Sequence, residues 1–230
     1  MTNIKPLEGR AFAAFLFDMD GTIITSIVAA ERVWSRWAAS QGLDVAAFLP
    51  TIHGVRAIDT VRKQNLPLDA KREAAAISRA EIEDVEGVEA ISGAASFLAA
   101  LPTDRWAIVT SAPRELATVR LAAAGIAAPM VMITAEDVSE GKPSPQGYAR
   151  AAKRLGVGLR DCLIFEDAKA GIQAGEAAGA TVVVITATHT DRLATSHATI
   201  AAYDELQPVS DSTGLGIRLR AAPSIQSGAK

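Results

Sequence analysis

FAAFLFDMDGT, residues 12–22, opens with six apolar residues and breaks off at an aspartate. A run this short, ended by charge and followed by Gly21, reads as a buried parallel strand, because glycine permits a tight exit turn. The same form returns in WAIVT (106–110), MVMI (130–133), CLIF (162–165) and TVVVI (181–185). Between these runs, stretches at about 113–124, 144–155 and 169–178 have helical character and are followed closely by Gly125, Gly156 and Gly179, the residue type that most often ends a helix. Strands alternating with helices predict an α/β fold with a Rossmann-like, largely parallel sheet as its core.

Residues 25–87 break this rhythm. Ile27, Ala30, Trp34, Trp37 and Ala38 recur at helical spacing and make an apolar stripe. DAKREAAAISRAEIED, 69–84, is rich in helix formers and begins with an aspartate suited to an N-cap. A further helix is expected after Gly54. A structureless loop of this length is foreign to a compact domain, so 25–87 is expected to be a helical-bundle module inserted into a core formed by 1–24 and 88–230. The last forty-odd residues are less regular: YDELQPVSDSTG (203–214) is expected to close the domain and SIQSGAK (224–230) to be mobile.

Composition narrows the class of protein. The chain has 230 residues, 49% hydrophobic and 21% charged, enough for a sizeable core and out of keeping with global disorder. Its 23 basic and 26 acidic residues leave a net charge of -3, so no broad nucleic-acid-binding face is expected. The single cysteine, Cys162, can form no internal disulfide, and a reducing cytoplasm is the plain expectation. The amino terminus lacks the long apolar core of a secretory signal, and nothing approaches the roughly 18 apolar residues that a membrane span requires. With no extended hydrophobic docking element, a monomer is the default expectation.

Ligands of an open parallel sheet gather beyond the carboxyl ends of its strands, where Asp18, Thr110, Glu166 and Asp167 all fall. A carboxylate can bind a metal or attack phosphorus, and a second one two residues on can carry a proton. Taken alone, the Asp18–Asp20 pair equally suits a simple metal site or a capped turn. Four carboxylates aimed at one cavity repel unless a cation or proton compensates. Mg2+ suits such hard oxygen ligands, and no Cys/His cluster points to zinc. Lys142 in GKPSP, among turn-forming residues, could neutralise phosphate oxygens, and Thr110 and Ser111 could donate hydroxyls to a phosphoryl group.

Taken in order, these motifs resemble the haloacid dehalogenase superfamily, specifically its small phosphatases and phosphomutases with a helical cap. FDMDGT (17–22) matches the first family motif, VTSA (109–112) the second, GKPSP (141–145) the lysine motif and IFEDAKAGIQAGEAAG (164–179) the fourth. The likeness covers nearly the whole chain. It implies Asp18 as nucleophile, Asp20 as general acid and base, Thr110 as a phosphoryl ligand and Lys142 as the neutralising cation. It implies Mg2+ held by Asp18, the carbonyl of Asp20 and Asp167, with Glu166 supporting the metal. Thr25 departs from the aspartate, and Ala112 from the asparagine or glycine, found in many relatives.

Within the inserted helices, TIHGVRAID (51–59) places His53, Gly54 and Arg56 together. This HGxR string resembles the cap loop of the sugar- and glycerol-phosphate phosphatase branch, which makes His53 and Arg56 candidate substrate contacts. Trp34 and Trp37 could stack on a sugar, but their periodicity favours packing; Lys169 could approach the entrance, and Glu83 and Glu86 read as solubilising residues. The expected activity is Mg2+-dependent hydrolysis of a small phosphorylated metabolite, a sugar or polyol phosphate, through an aspartyl-phosphate. A sugar phosphomutase is the nearest alternative, followed by a non-catalytic binder of phosphorylated metabolites; a dehalogenase fits less well with Asp20, Lys142 and the acidic pair at 166–167.

Overall fold

The computed structural model describes residues 2–189 and 195–220. β1 (Ala14–Phe17) leads through a turn into the two-residue strand β2 (Ile24–Thr25). Four helices follow, α1 (Ile27–Ser40), α2 (Val45–Phe48), α3 (Ala57–Lys63) and α4 (Ala70–Glu83). β3 (Glu89–Ala90) then returns antiparallel to β2 and ties the two ends of the helical segment together. Next come α5 (Ala94–Ala99), β4 (Trp106–Val109), α6 (Arg114–Ala123), β5 (Val131–Ile133) and α7 (Gln146–Leu155). β6 (Cys162–Glu166), α8 (Lys169–Ala177), β7 (Thr181–Ile185) and β8 (Ala198–Ile200) complete the alternation, and a hairpin of β9 (Leu206–Asp211) and β10 (Gly214–Leu219) follows.

Six strands form one parallel sheet in the order β5-β4-β1-β6-β7-β8. β1 is central, with β4 and β5 on one side and β6 to β8 on the other, so the chain changes direction beside β1. Such a switch opens a crevice at the carboxyl ends of the flanking strands. Side chains alternate between the faces with the two-residue period of a strand. Phe15, Phe17, Leu163 and Phe165 enter one core, and Ala14, Leu16, Cys162 and Ile164 enter the other. On the aromatic face Phe17 stacks on Phe165 at 4.2 Å, and Phe97 lies against Phe15, Phe17, Phe165 and Tyr203.

The helical segment has a core of its own, built from Val33, Trp34, Trp37, Phe48, Ile52, Val61 and Ile77. Trp34 and Trp37 meet edge to face at 5.6 Å and both touch Phe48, so the aromatic pair packs the segment together. Asp69 caps α4 as its position suggests, accepting from the amides of Lys71 and Arg72.

Two differences from expectation have physical causes. The first strand begins at Ala14, two residues late, because Phe12 instead makes an isolated antiparallel bridge with Leu215. The less regular tail contains a β-hairpin. Its pattern is faint because β9 holds Pro208 and is buried only at Leu206, whereas Leu215 and Ile217 of β10 enter the core. Asp211 closes its turn by accepting from the Thr213 amide and hydroxyl at 2.8 and 2.6 Å. SIQSGAK lies outside the described residues, among which no helix is long and apolar enough to cross a membrane.

Phe97 joins α5 to three aromatic side chains of the sheet and to Tyr203 without reaching the carboxylates. Phe97→Ala is expected to cost about 3–5 kcal/mol in a urea titration, the range for emptying a buried aromatic site.

Candidate active site

Asp18 follows the last residue of β1, its amide bonded to the Phe165 carbonyl at 2.9 Å, so register with β6 sets its position. Glu166 ends β6 and Asp167 follows it. The three carboxylates are buried and offer oxygens that all lie within 4.8 Å of one another. Lys142 reaches in from the loop before α7, with Nζ at 2.5 Å from both Asp18 Oδ1 and Glu166 Oε1. Tyr148 donates to the same Glu166 oxygen at 2.6 Å, and the amides of Asp167 and Ala168 donate to its other oxygen at 3.1 and 3.3 Å. Glu166 is thus fully engaged, while among the described residues the Asp167 carboxylate accepts only from the Thr22 hydroxyl, at 3.2 Å.

Three buried carboxylates face one ammonium. Burial pushes the Asp18 carboxyl up to about 7 against the pull of Lys142, with Glu166 and Asp20 adding to the rise. Burial also lifts Asp167 well above the usual carboxylate range, reinforced by Asp18 and Glu166. For Lys142 burial works against the charge, but Asp18 and Glu166 outweigh it and raise its pKa. An additional cation would relieve this excess of negative charge, and hard oxygen donors are what a magnesium-like ion takes. The residues present therefore fit a divalent metal, with Asp18 and Asp167 the acids whose oxygens are least engaged.

Gly21 makes room for this arrangement. Its φ of +81° lies in the left-handed region, and a Cβ there would collide with the Asp167 carboxylate. Asp20 stands on the same turn and accepts from the Ser26 hydroxyl at 2.5 Å and from Arg120 at 2.9 Å. A cavity of about 80 Å³ lies between the sheet and the helical segment, lined by Asp18, Asp20, Trp34, Glu81, Thr110 and Arg120 among others.

The remaining sequence candidates fall into two groups. Thr110 is buried at the end of β4, its Oγ1 accepting from the Ala112 amide at 3.0 Å, with the hydroxyl proton available for a ligand. Ser111 donates to the Gly54 carbonyl at 3.0 Å and so fastens the helical segment to the sheet. Gly54 itself has φ +71°, and a Cβ there would come within 2.7 Å of the Ala168 Cβ, which brings the 53–56 loop down beside Asp167. His53 lines the cavity and sits 3.3 Å from Glu31. Arg56 borders an adjoining cleft with Thr110 and Lys142, and it bonds Asp59 at 2.6 Å and the carbonyls of Val138 and Ser139 at 3.1 and 3.2 Å. Lys169 lies on a separate broad groove that reaches Asp167.

Tyr148, Arg120 and Glu81 were not picked out by the sequence reading. The two charged residues do leave a trace. Arg120 lies among Leu116, Ala117 and Leu121 on the buried face of α6, and Glu81 shares the buried face of α4 with Ile77 and Ser78. Opposite charges set into two apolar stripes signal a pair between the helices. Glu81 accepts from Arg120 at 3.2 Å. Burial raises the Glu81 carboxyl even with Arg120 opposing it.

Comparison with known proteins agrees with this geometry. Residues 12–179 match the family described as haloacid dehalogenase-like hydrolase. Hexitol phosphatase A of Escherichia coli (strain K12) is 40% identical over 181 residues, which cover 75% of this chain and 82% of that protein. Glycerol-1-phosphate phosphohydrolase 2 of Saccharomyces cerevisiae is 36% identical over 197 residues, covering 80% and 78%. A hydrolase from Pseudomonas syringae of known structure aligns with a TM-score of 0.70 at 25% identity, over 78% of this chain and 87% of that one.

Tyr148→Phe takes one donor from a buried carboxylate and leaves its volume in place. The variant is expected to lose about 1.5–3 kcal/mol in chemical denaturation, the range for one hydrogen bond to a charged group, since Lys142 still meets that oxygen.

Proposed function

We propose, from the premise that this chain belongs to the haloacid dehalogenase-like hydrolases, that it is a magnesium-dependent phosphatase of sugar or polyol phosphates working through Asp18. The observation that carries the reading is the setting of Asp18. It is a buried carboxylate at the end of the central strand, paired with Lys142 at 2.5 Å and lining a cavity that Asp20 and Thr110 also line. The two phosphatase relatives, named for a hexitol and for glycerol 1-phosphate, support the substrate class.

In this reading Asp18 attacks phosphorus, forming a new P–O bond as the ester P–O bond breaks. Asp20 delivers a proton to the departing alkoxide. It then takes one from water, which attacks the aspartyl-phosphate and releases inorganic phosphate and free Asp18. Lys142 holds the attacking carboxylate in place, and Thr110 donates to a phosphoryl oxygen. Asp18, Asp167 and the carbonyl of Asp20 would hold the metal, and Glu166 steadies Lys142 from behind. A bound Mg2+ would supply positive charge to the phosphoryl oxygens.

The helical segment, residues 25–87, acts as the cap of a core formed by 1–24 and 88–230. It closes the cavity with Trp34, Ile52 and His53 and excludes water from the reacting centre. His53 is positioned for a substrate hydroxyl. The bonds of Arg56 to Val138 and Ser139 suit it to tether the cap to the loop that precedes Lys142.

Purified protein assayed across sugar phosphates, polyol phosphates, phosphoglycolate and nucleotides should release phosphate selectively from the first two classes. Release should stop on chelation of the metal and return with Mg2+. Asp18→Asn should lower turnover by at least about a thousandfold, since the covalent route is lost. An isomeric monophosphate accumulating in place of free phosphate would identify a phosphomutase, and normal turnover by Asp18→Asn would overturn the mechanism.

A further inference from the structure

The carboxylate of Asp20 is gripped from two directions. Arg120, on α6, donates from Nη1 to Asp20 Oδ1 at 2.9 Å, and Ser26 donates to that same oxygen at 2.5 Å. Among the described residues no donor reaches Oδ2. Arg120 donates from its other terminal nitrogen to Glu81, on α4, at 3.2 Å. A guanidinium is a rigid plane, so its two terminal nitrogens cannot reorient independently. The pose of Arg120 that satisfies Glu81 is therefore the pose that holds Asp20.

Stability is a weak explanation for this arrangement. Arg120 keeps only 4% of its surface exposed and Glu81 only 5%, and both interrupt apolar helix faces. The Arg120 Nε is buried and has no partner among the described residues, so its desolvation is not offset there. Buried ion pairs of this kind can often be replaced by well-packed apolar residues at no loss of stability. The pair also spans two units: Glu81 belongs to the helical segment and Arg120 to the sheet domain, so it forms only when α4 is docked on α6.

We propose that Arg120 is the positioning residue of Asp20 and that Glu81 sets its pose, so that seating the helical segment aligns the acid–base carboxylate. The proposal rests on the acid–base role given to Asp20 above. With Oδ1 clamped, Oδ2 is the oxygen that carries the proton, giving it to the departing alkoxide and recovering it from water.

The test is a double-mutant cycle on whichever of glycerol 1-phosphate and a hexitol 6-phosphate the wild type hydrolyses faster, with Mg2+ saturating. Glu81→Gln and Arg120→Gln are each measured alone and combined with Asp20→Asn. Each single variant should lose about 10- to 100-fold in kcat, the scale of a misplaced catalytic group, with KM within about threefold of wild type. Neither should lower kcat further once Asp20→Asn is present, because a residue acting through Asp20 has nothing left to position. Losses that multiply with Asp20→Asn, or wild-type kcat in Glu81→Gln, would overturn the proposal. Should Arg120→Gln fail to give a cooperative thermal melt, Glu81→Gln decides the matter. The reading beneath the proposal fails separately: an inactive wild type, or an Asp20→Asn variant with wild-type kcat, overturns both.

Discussion

The buried contact of Lys142 with Asp18 and Glu166 is the constraint on which the rest of the site depends. Two carboxylates at the ends of adjacent strands would drive each other apart in a dry interior, and the ammonium between them, 2.5 Å from each, holds them together. The lysine has to come from outside those strands, and the loop before α7 delivers it. Tyr148, on the first turn of that helix, donates to the Glu166 oxygen that Lys142 also uses. Glu166 thus works from behind the cavity: it anchors the lysine, while two backbone amides at the start of α8 hold its remaining oxygen.

Topology makes this convergence possible. With β1 between β4 and β6, one residue past the end of each strand is enough to bring Asp18, Thr110 and Asp167 to the same crevice. Parallel register then fixes their heights, Phe17 standing opposite both Ile108 and Phe165. The aromatic cluster beneath Phe17 and Phe165 stiffens this platform. Positional precision therefore comes from the sheet, and the loops add the groups that must approach from above.

The parallel core was legible because its strands are short apolar runs that stop at polar or charged residues, and because glycines follow the helices. Asp18, Asp20, Lys142, Glu166 and Asp167 stood out as charges at strand ends or within turns, where an apolar pattern breaks. The hairpin of β9 and β10 was not legible, since Pro208 and the polar residues around it hide a strand that buries little. Arg56 shows a different limit. Its type suits a phosphate, but orientation is a tertiary property, and in the fold Asp59 and two carbonyls take its guanidinium. Ser111, read as a ligand by its neighbour Thr110, lines the cavity and also donates its hydroxyl to the Gly54 carbonyl.

Arg120 and Glu81 were hidden for the opposite reason, since each is one charge in a helix where charges are ordinary. Their meaning depends on phase: both fall on the buried face, and a lone charge there needs a partner on the opposing element. One acid and one base, each misplaced on its own helix, together predict that the two helices meet. That contact also borders the cavity, which Glu81 of α4 and Arg120 of α6 both line. A helical segment held by apolar contact alone would dock without touching Asp20. Held through an arginine that also donates to Asp20, it cannot shift without disturbing that carboxylate.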